Sequence, residues 1–497
     1  MTYSLNASHL DRMLGRWQSQ GPAYLDLANA FRTLIMDGRL PLGSRLPAER
    51  SLAPQLGISR NTVTAAYRLL REQGYLQSLR GNGSFITIPA DHQQSNRIAS
   101  WIPAGQDRDA IDFTIASPQA STSFFDATQS LHDDIGGNVE DAGYDLQGIS
   151  QLRRLLADRY TSLGLPTSPS EVMVTAGAQH AWGLLIRLLT KERDQVLMES
   201  PTYPNAVDAV RSLNRQTLMI GLDGSDWHTD LIQTTISRRK PALSYFMADF
   251  HNPTGLVMPE ETRNRVIAST EKAGGHVVFD ETLSDLALDE DSPLRPTTTH
   301  RSPHVIMIGS FSKIVWAGLR LGWVRAPAPL ISRLVTLRAA ADAGNSIVPQ
   351  IIACRLLESY ADVLRERRRS LRQGRDVLAD AVRRLLPRWS FRLPDGGLSL
   401  WIDLGARVSS RLALVAPEHG VRLLPGSRFG ADSTLDNYLR LPFVHDEATA
   451  REGVVRLAAA FDQVMNDHDA RRPDHQAPVP RRSADRSLAM TSGHGFL

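Results

Sequence analysis

The chain has 497 residues, 42% of them hydrophobic and 22% charged, with a formal net charge of +3. It is too long for one ordinary core, so roughly two or three domains are expected, and the composition excludes a fibrous or wholly disordered protein. The single cysteine, Cys354, excludes an intrachain disulfide and suits a reducing, cytoplasmic setting. No signal peptide opens the chain and no stretch approaches about eighteen uninterrupted apolar residues, so neither secretion nor a membrane partner is expected.

Residues 1–90 hold ten arginines and no lysine against five acids, a local positive excess that suits a polyanionic partner. Residues 1–21 read as an N-terminal extension. From Tyr24 to Asp37, Leu27, Phe31, Leu34 and Ile35 recur at helical spacing, with Gly38 as the stop. Pro47 is placed to open a second helix, with Leu52, Ala53 and Leu56 inward. Gly57 breaks it, and Ser59 can cap a third helix through Val63, Ala66, Tyr67 and Leu70. Helix, short turn, helix is the pattern that lays its second helix in a major groove, and Arg60, Asn61, Thr62 and Thr64 lie at that helix's start, off its apolar face.

Leu79 to Ile88 reads as a tight hairpin, because Asn82-Gly83 separates short β-prone runs and Arg80 stands at the tip. The alternative is an ordinary helical core and hairpin with scattered arginines. Through Leu46-Pro-Ala-Glu-Arg50, Leu56-Gly-Ile-Ser-Arg60-Asn-Thr-Val63 and Gly81-Asn-Gly83, residues 22–88 resemble the GntR family of winged helix-turn-helix domains. The resemblance implies that Arg50, Arg60, Thr62 and the wing around Gly83 contact double-stranded operator DNA.

Residues 89–109 turn polar and read as a linker with an amphipathic interruption at Ile98 to Ile102. Beyond it strand-like and helical runs alternate, as in an α/β fold with a mainly parallel sheet. Val172-Met-Val-Thr175 leads into Ala176-Gly177-Ala178-Gln179 and a helix from His180 to Leu189. Val196-Leu-Met198 leads into Pro201-Thr-Tyr203-Pro204, and Leu243 to Met247 into Asn252-Pro-Thr-Gly255. His276-Val-Val-Phe279 ends at Asp280-Glu-Thr282, and His304 to Ile308 runs into Gly309-Ser310-Phe-Ser312-Lys313. The unusual residues follow the strands, as expected of one site along the carboxyl edge of a sheet. Residues 361–465 read as a smaller subdomain of a unit spanning 110–465. It has a long arginine-rich helix from Ala361 to Leu386 and strands near Gly396 to Asp403 and Tyr438 to Pro442. The basic tail, 466–497, is expected to be disordered.

Lysine occurs four times against fifty-two arginines, and three of the four, Lys191, Lys240 and Lys272, lie in polar breaks. Lys313 is packed among apolar residues, where an ammonium loses solvation and the neutral amine becomes a nucleophile suited to a Schiff base. The alternative is a surface lysine in a Gly/Ser loop. Asp280 is either the partner of a protonated ring nitrogen or a cap or ion-pair acid. Gly177, Ala178 and Gln179 either offer a helix N-terminus to a phosphate or serve turn geometry alone. Arg320, with Ser310 and Ser312, either completes a phosphate cup or is a surface arginine, and Tyr203 either stacks on a ring or packs in a loop. Asn252 either donates to a ring hydroxyl or makes a turn. Arg440, in an apolar setting, needs an anion such as a substrate or effector carboxylate. No metal site is expected.

Together these residues resemble the fold type I pyridoxal-phosphate proteins of the aminotransferase superfamily over residues 110–465. The resemblance implies pyridoxal 5'-phosphate as cofactor and Lys313 as its aldimine lysine, with Asp280 at the pyridine nitrogen and Asn252 near the ring oxygen. It also implies Tyr203 stacking, Arg320 and the serines on phosphate, Arg440 on an amino-acid carboxylate, and Tyr144 supplied across a homodimer interface. Many relatives carry a tyrosine where Thr282 stands, a departure that bears on transamination. A GntR-type reader ahead of such a unit is similar to the MocR family of bacterial regulators. That implies a transcription factor sensing pyridoxal phosphate or a small amino compound, with at most a residual aminotransferase half-reaction. The alternative is an active aminotransferase with an accessory DNA-binding domain, which turnover would separate.

Overall fold

The computed structural model describes residues 5–15, 17–18, 21–36, 40, 44–79, 83–87, 109–129, 131, 135–136, 143–223, 226–289, 292–430 and 435–469. Gly38, the wing-tip residues Arg80, Gly81 and Asn82, the polar stretch 89–108 with its amphipathic interruption, and the tail beyond 469 lie outside them.

The reader is built from α1 (Ala7–Leu14), α2 (Ala23–Met36), α3 (Glu49–Gln55) and α4 (Arg60–Glu72), followed by strands β1 (Leu76–Leu79) and β2 (Gly83–Ile86). The expected extension thus contains a helix. Asn6 caps it by accepting from the His9 N–H, and Leu10, Met13 and Leu14 join the reader's core beside Phe31, Leu52 and Tyr67. Pro47 does not open α3. The helix begins two residues later, at Glu49, and the Pro47 carbonyl instead accepts from the buried Tyr67 hydroxyl at 2.9 Å. Ser59 caps α4 through the Thr62 N–H as its side-chain chemistry predicts. β1 and β2 pair antiparallel, Leu79 opposite Gly83.

The body has its own core, a separate cluster of buried residues. It surrounds an eight-stranded sheet made of β4 (Val172–Thr175), β5 (Gln195–Ser200), β6 (Gln216–Asp223), β7 (Asp226–Trp227), β8 (Leu243–Phe246), β9 (His276–Asp280), β10 (Val305–Ser310) and β11 (Gly322–Arg325). Their order is β4-β11-β10-β9-β8-β5-β6-β7. β6, β5, β8, β9 and β10 pair in parallel, whereas β11 is antiparallel to both its neighbours. Hence β4 points the same way as β10, and the carboxyl ends of β4, β5, β8, β9 and β10 share one edge. The strands are apolar at successive positions because helices cover both faces, which removes the alternation a half-exposed strand would show.

The helix Ala178–Leu189 starts two residues before His180, because Gly177 takes the N-cap position with φ 92°, a conformation costly for any residue with a Cβ. The smaller unit follows the helix Tyr360–Leu385, with an antiparallel sheet of β12 (Ser390–Phe391), β13 (Ser399–Asp403), β16 (Tyr438–Pro442) and β15 (Leu424–Pro425). Two short strands, β3 (Ile111–Asp112) and β14 (Val421–Arg422), pair in parallel, so the chain just past residue 109 joins the C-terminal unit. No helix among the described residues is long and apolar enough to cross a membrane.

Tyr67→Phe would leave the Pro47 carbonyl without its buried donor and lower reader stability by about 1–3 kcal/mol. The check is the urea midpoint of the reader's unfolding transition, which should fall with no change in slope.

Candidate functional site

The shared strand edge opens into a cavity of about 380 Å³ between the large sheet and the smaller unit, within the range of small-ligand clefts. Lys313, three residues past β10, reaches into it with Asp280, the last residue of β9. Burial, and next the Arg440 charge, lowers the Lys313 ammonium to about 8. Its Nζ donates to the Ala116 carbonyl at 2.8 Å. Burial pushes the Asp280 carboxyl up, against hydrogen bonds from Thr282 and Tyr245 that pull it down. The Tyr245 hydroxyl donates to Asp280 Oδ2 at 2.5 Å and the Thr282 N–H to Oδ1 at 2.9 Å.

A second group gathers at the N-terminus of the helix Ala178–Leu189. Arg320 donates to the Ala176 carbonyl at 3.0 Å, and its guanidinium stands over Gly177, where a Cβ would come within 3.8 Å of it. Ser310 and Ser312 are buried alongside; the Ser312 N–H donates to Ser310 Oγ at 3.1 Å. The Gln179 side chain is committed to the Asn205 carbonyl at 2.9 Å, so only its backbone N–H faces the group. Helix N–H groups, a guanidinium and two hydroxyls together make an anion site.

Tyr203 and Asn252 line the same cavity. Asn205 Nδ2 donates to the Tyr203 hydroxyl at 2.9 Å, whereas Asn252 Oδ1 is buried without a hydrogen-bond partner. Arg440, on β16, is buried in the cavity wall over the Phe429 ring, 5.1 Å from its centroid. It donates to the Thr114 carbonyl, its Nε is unpartnered, and burial lowers its pKa to about 10.

The cavity therefore brings together every expected ligand residue except one. Tyr144 lies outside its own chain's cavity and is 79% exposed. Tyr245, Arg428 and the 114–117 segment also line the cavity and escape sequence reasoning. Tyr245 is hidden inside an apolar strand run, and the other two reach the site only through the tertiary fold.

On the reader, Arg50, Arg60, Asn61, Thr64 and Gly83 are exposed. Thr62 is half-buried, and its hydroxyl lies 2.9 Å from Ser59 Oγ in the cap; Thr64 Oγ1 donates to the Arg60 carbonyl at 3.0 Å. The first turn of α4 carries no acid, so nothing there offsets the positive end of its helix dipole or the charge of Arg60. Arg45, absent from the expected contacts, runs along the wing, where a Cβ on Gly83 would come within 2.9 Å of its Nε. Gly83, at φ 98°, leaves that approach open.

Residues 126–457 match the family described as Aminotransferase class I and II, and residues 23–86 the one described as Bacterial regulatory proteins, gntR family. The chain is 26% identical to the Uncharacterized HTH-type transcriptional regulator YisV of Bacillus subtilis (strain 168), over 90% of this chain and 98% of that one. It is also 26% identical to the HTH-type transcriptional regulator TauR of Rhodobacter capsulatus, over 86% and 94%. Among solved structures it resembles LysN, the alpha-aminoadipate aminotransferase of Thermus thermophilus, complexed with N-(5'-phosphopyridoxyl)-L-leucine. The TM-score is 0.66 at 25% identity, covering 72% of this chain and 94% of that one.

Because burial depresses the Lys313 pKa, its neutral amine is present above about pH 8, against about 10.5 for an ordinary lysine. Reductive methylation followed by peptide mass analysis should give a half-maximal rate for Lys313 near pH 8.

Proposed function

The chain belongs to the aminotransferase class I and II family, and on that premise we propose that it is a cytoplasmic, homodimeric transcriptional regulator with a pyridoxal-phosphate site. Its cavity senses an amino compound or pyridoxal phosphate itself, and its winged helix-turn-helix binds double-stranded operator DNA. The observation that carries this reading is Lys313 and Asp280 lining one cavity of a chain whose reader presents Arg60 and Asn61 on a Ser59-capped helix.

The residues fit the cofactor. Asn252 Oδ1 is buried and unpartnered, so it would accept from a ring hydroxyl rather than donate to it, and Gly177 keeps a side chain out of the space beneath Arg320 where a phosphate would bind. Asp280, whose charge is disfavoured by burial, gains a cationic ring nitrogen. Bound there, pyridoxal phosphate supplies an aldehyde for an amine and an electron-withdrawing ring. Lys313 holds the group through its amine, and Asp280 keeps a proton at the ring nitrogen, itself held by Tyr245. Arg320, Ser310, Ser312 and the N–H groups of Gly177, Ala178 and Gln179 bind the phosphate. Tyr203 and Thr282, which line the same cavity, would hold the ring, and Arg440 would take an effector carboxylate. Tyr144 extends to the site of a second copy. An effector changes DNA binding only by preferring one arrangement of the chain over another. The names of YisV and TauR, matched over nearly the whole chain, support regulation.

A second reading, an active aminotransferase, is favoured by the complete set of amine, acid and Arg440. Repeated transfer of an amino group to a keto acid, cycle after cycle, would establish it over the first.

Borohydride treatment of the protein loaded with pyridoxal phosphate should add the cofactor's mass to the Lys313 peptide and leave no adduct in Lys313→Ala, which should still bind its operator. An adduct on another lysine overturns the assignment. Arg60→Ala should weaken operator binding by about 1–3 kcal/mol; an unchanged gel shift removes Arg60 from the interface.

A further inference from the structure

Four cationic side chains line the cavity, Lys313, Arg320, Arg428 and Arg440, and Asp280 is the only acid among the described lining residues. A phosphate monoester carries about two negative charges near neutrality, which Arg320 and the helix N-terminus meet. A ring nitrogen meets Asp280, and covalent attachment uses the Lys313 amine. An amino acid's carboxylate then meets Arg440. One cation is left over.

Arg428 follows Pro425-Gly-Ser in the turn after β15, and its side chain is only 8% exposed. Among the described residues its carboxylate contact is Asp208 Oδ2, 3.4 Å from Nη2, and that aspartate is itself half exposed. Its Nε is buried with no hydrogen-bond partner. A guanidinium has five N–H donors in a fixed fork, and leaving them unmet in a desolvated wall is costly. The neighbouring residue Phe429 carries the Arg440 guanidinium on its ring, and Leu424 of β15 pairs with Arg440, so the turn that bears Arg428 adjoins the strand pair that bears Arg440 and both arginines line the cavity.

Resting on the reading of this cavity as a cofactor-loaded sensor of amino compounds, we infer that Arg428 binds a second anionic group. The ligand class is an amino compound with two acid groups: Arg440 takes the carboxylate beside the amine, and Arg428 the distal one.

The test titrates full-length protein loaded with pyridoxal phosphate against L-glutamate and L-norvaline, which share a five-carbon chain and differ in the distal carboxylate. The displacement of the cofactor's visible band is the readout. One charge-assisted contact predicts a preference for glutamate of about tenfold or more. Arg428→Gln should bring the two midpoints together, and Asp208→Asn, which frees the guanidinium, should widen the gap. Equal midpoints in the natural protein, or a preference that survives Arg428→Gln while Asp208→Asn has no effect, overturn the inference and leave the sensor reading standing. If neither amino acid moves the band while Lys313 carries the cofactor, the reading of the cavity as an amino-compound sensor falls, and this inference with it.

Discussion

Removal from water is the constraint on which this molecule turns. Lys313 and Asp280 sit in one cavity, and burial moves each in the direction that erases its charge: the amine down to about 8, the acid upward. Arg440 pushes the amine further the same way. Desolvated groups of this kind are poised for complementary chemistry, because a partner that restores a favourable charge state gains what burial took away. The apolar strands β9 and β10 impose this environment. They run in parallel with both faces covered, and they place Asp280 and Ser310 at their carboxyl ends.

Two hydrophobic clusters hold the chain, one in the reader and one in the body. The reader's cluster draws on residues before the gntR match as well as within it, since Leu10, Met13 and Leu14 of α1 pack with α2, α3 and α4. Hydrogen bonds from Ser8 to Gln55 and from Gln55 to Asp11 tie α1 to α3 at the surface. A small unit buries a small fraction of its surface, and a fourth helix adds apolar burial where it is scarce.

Part of this was legible in the sequence because Asp280 and Lys313 each come after an apolar strand run. Asp280 after His-Val-Val-Phe and Lys313 after the β10 run need only strand periodicity to be placed. Ser59 was legible for the same reason, since capping is a local event. Tyr245 was not: in Leu-Ser-Tyr-Phe-Met it reads as strand filling, and only the β8–β9 pairing brings its hydroxyl to Asp280. Arg428 depends on how the turn after β15 folds back over the cavity. Pro47 misled because its ring suits a helix start, while the tertiary demand of the Tyr67 hydroxyl for a carbonyl set the boundary two residues later.

The stretch 111–117 lies just past residue 109, where the described chain resumes beyond the polar segment that follows the reader. It is pinned by β3 to β14, and it also offers its Thr114 carbonyl to Arg440 and its Ala116 carbonyl to the Lys313 amine. Those two donors are the ones a carboxylate and an aldehyde claim. Under the proposed function, a ligand that engages both would take over two donors that this stretch now occupies. Filling the cavity in that way would therefore compete with two of the hydrogen bonds that hold residues 114–116 in its wall.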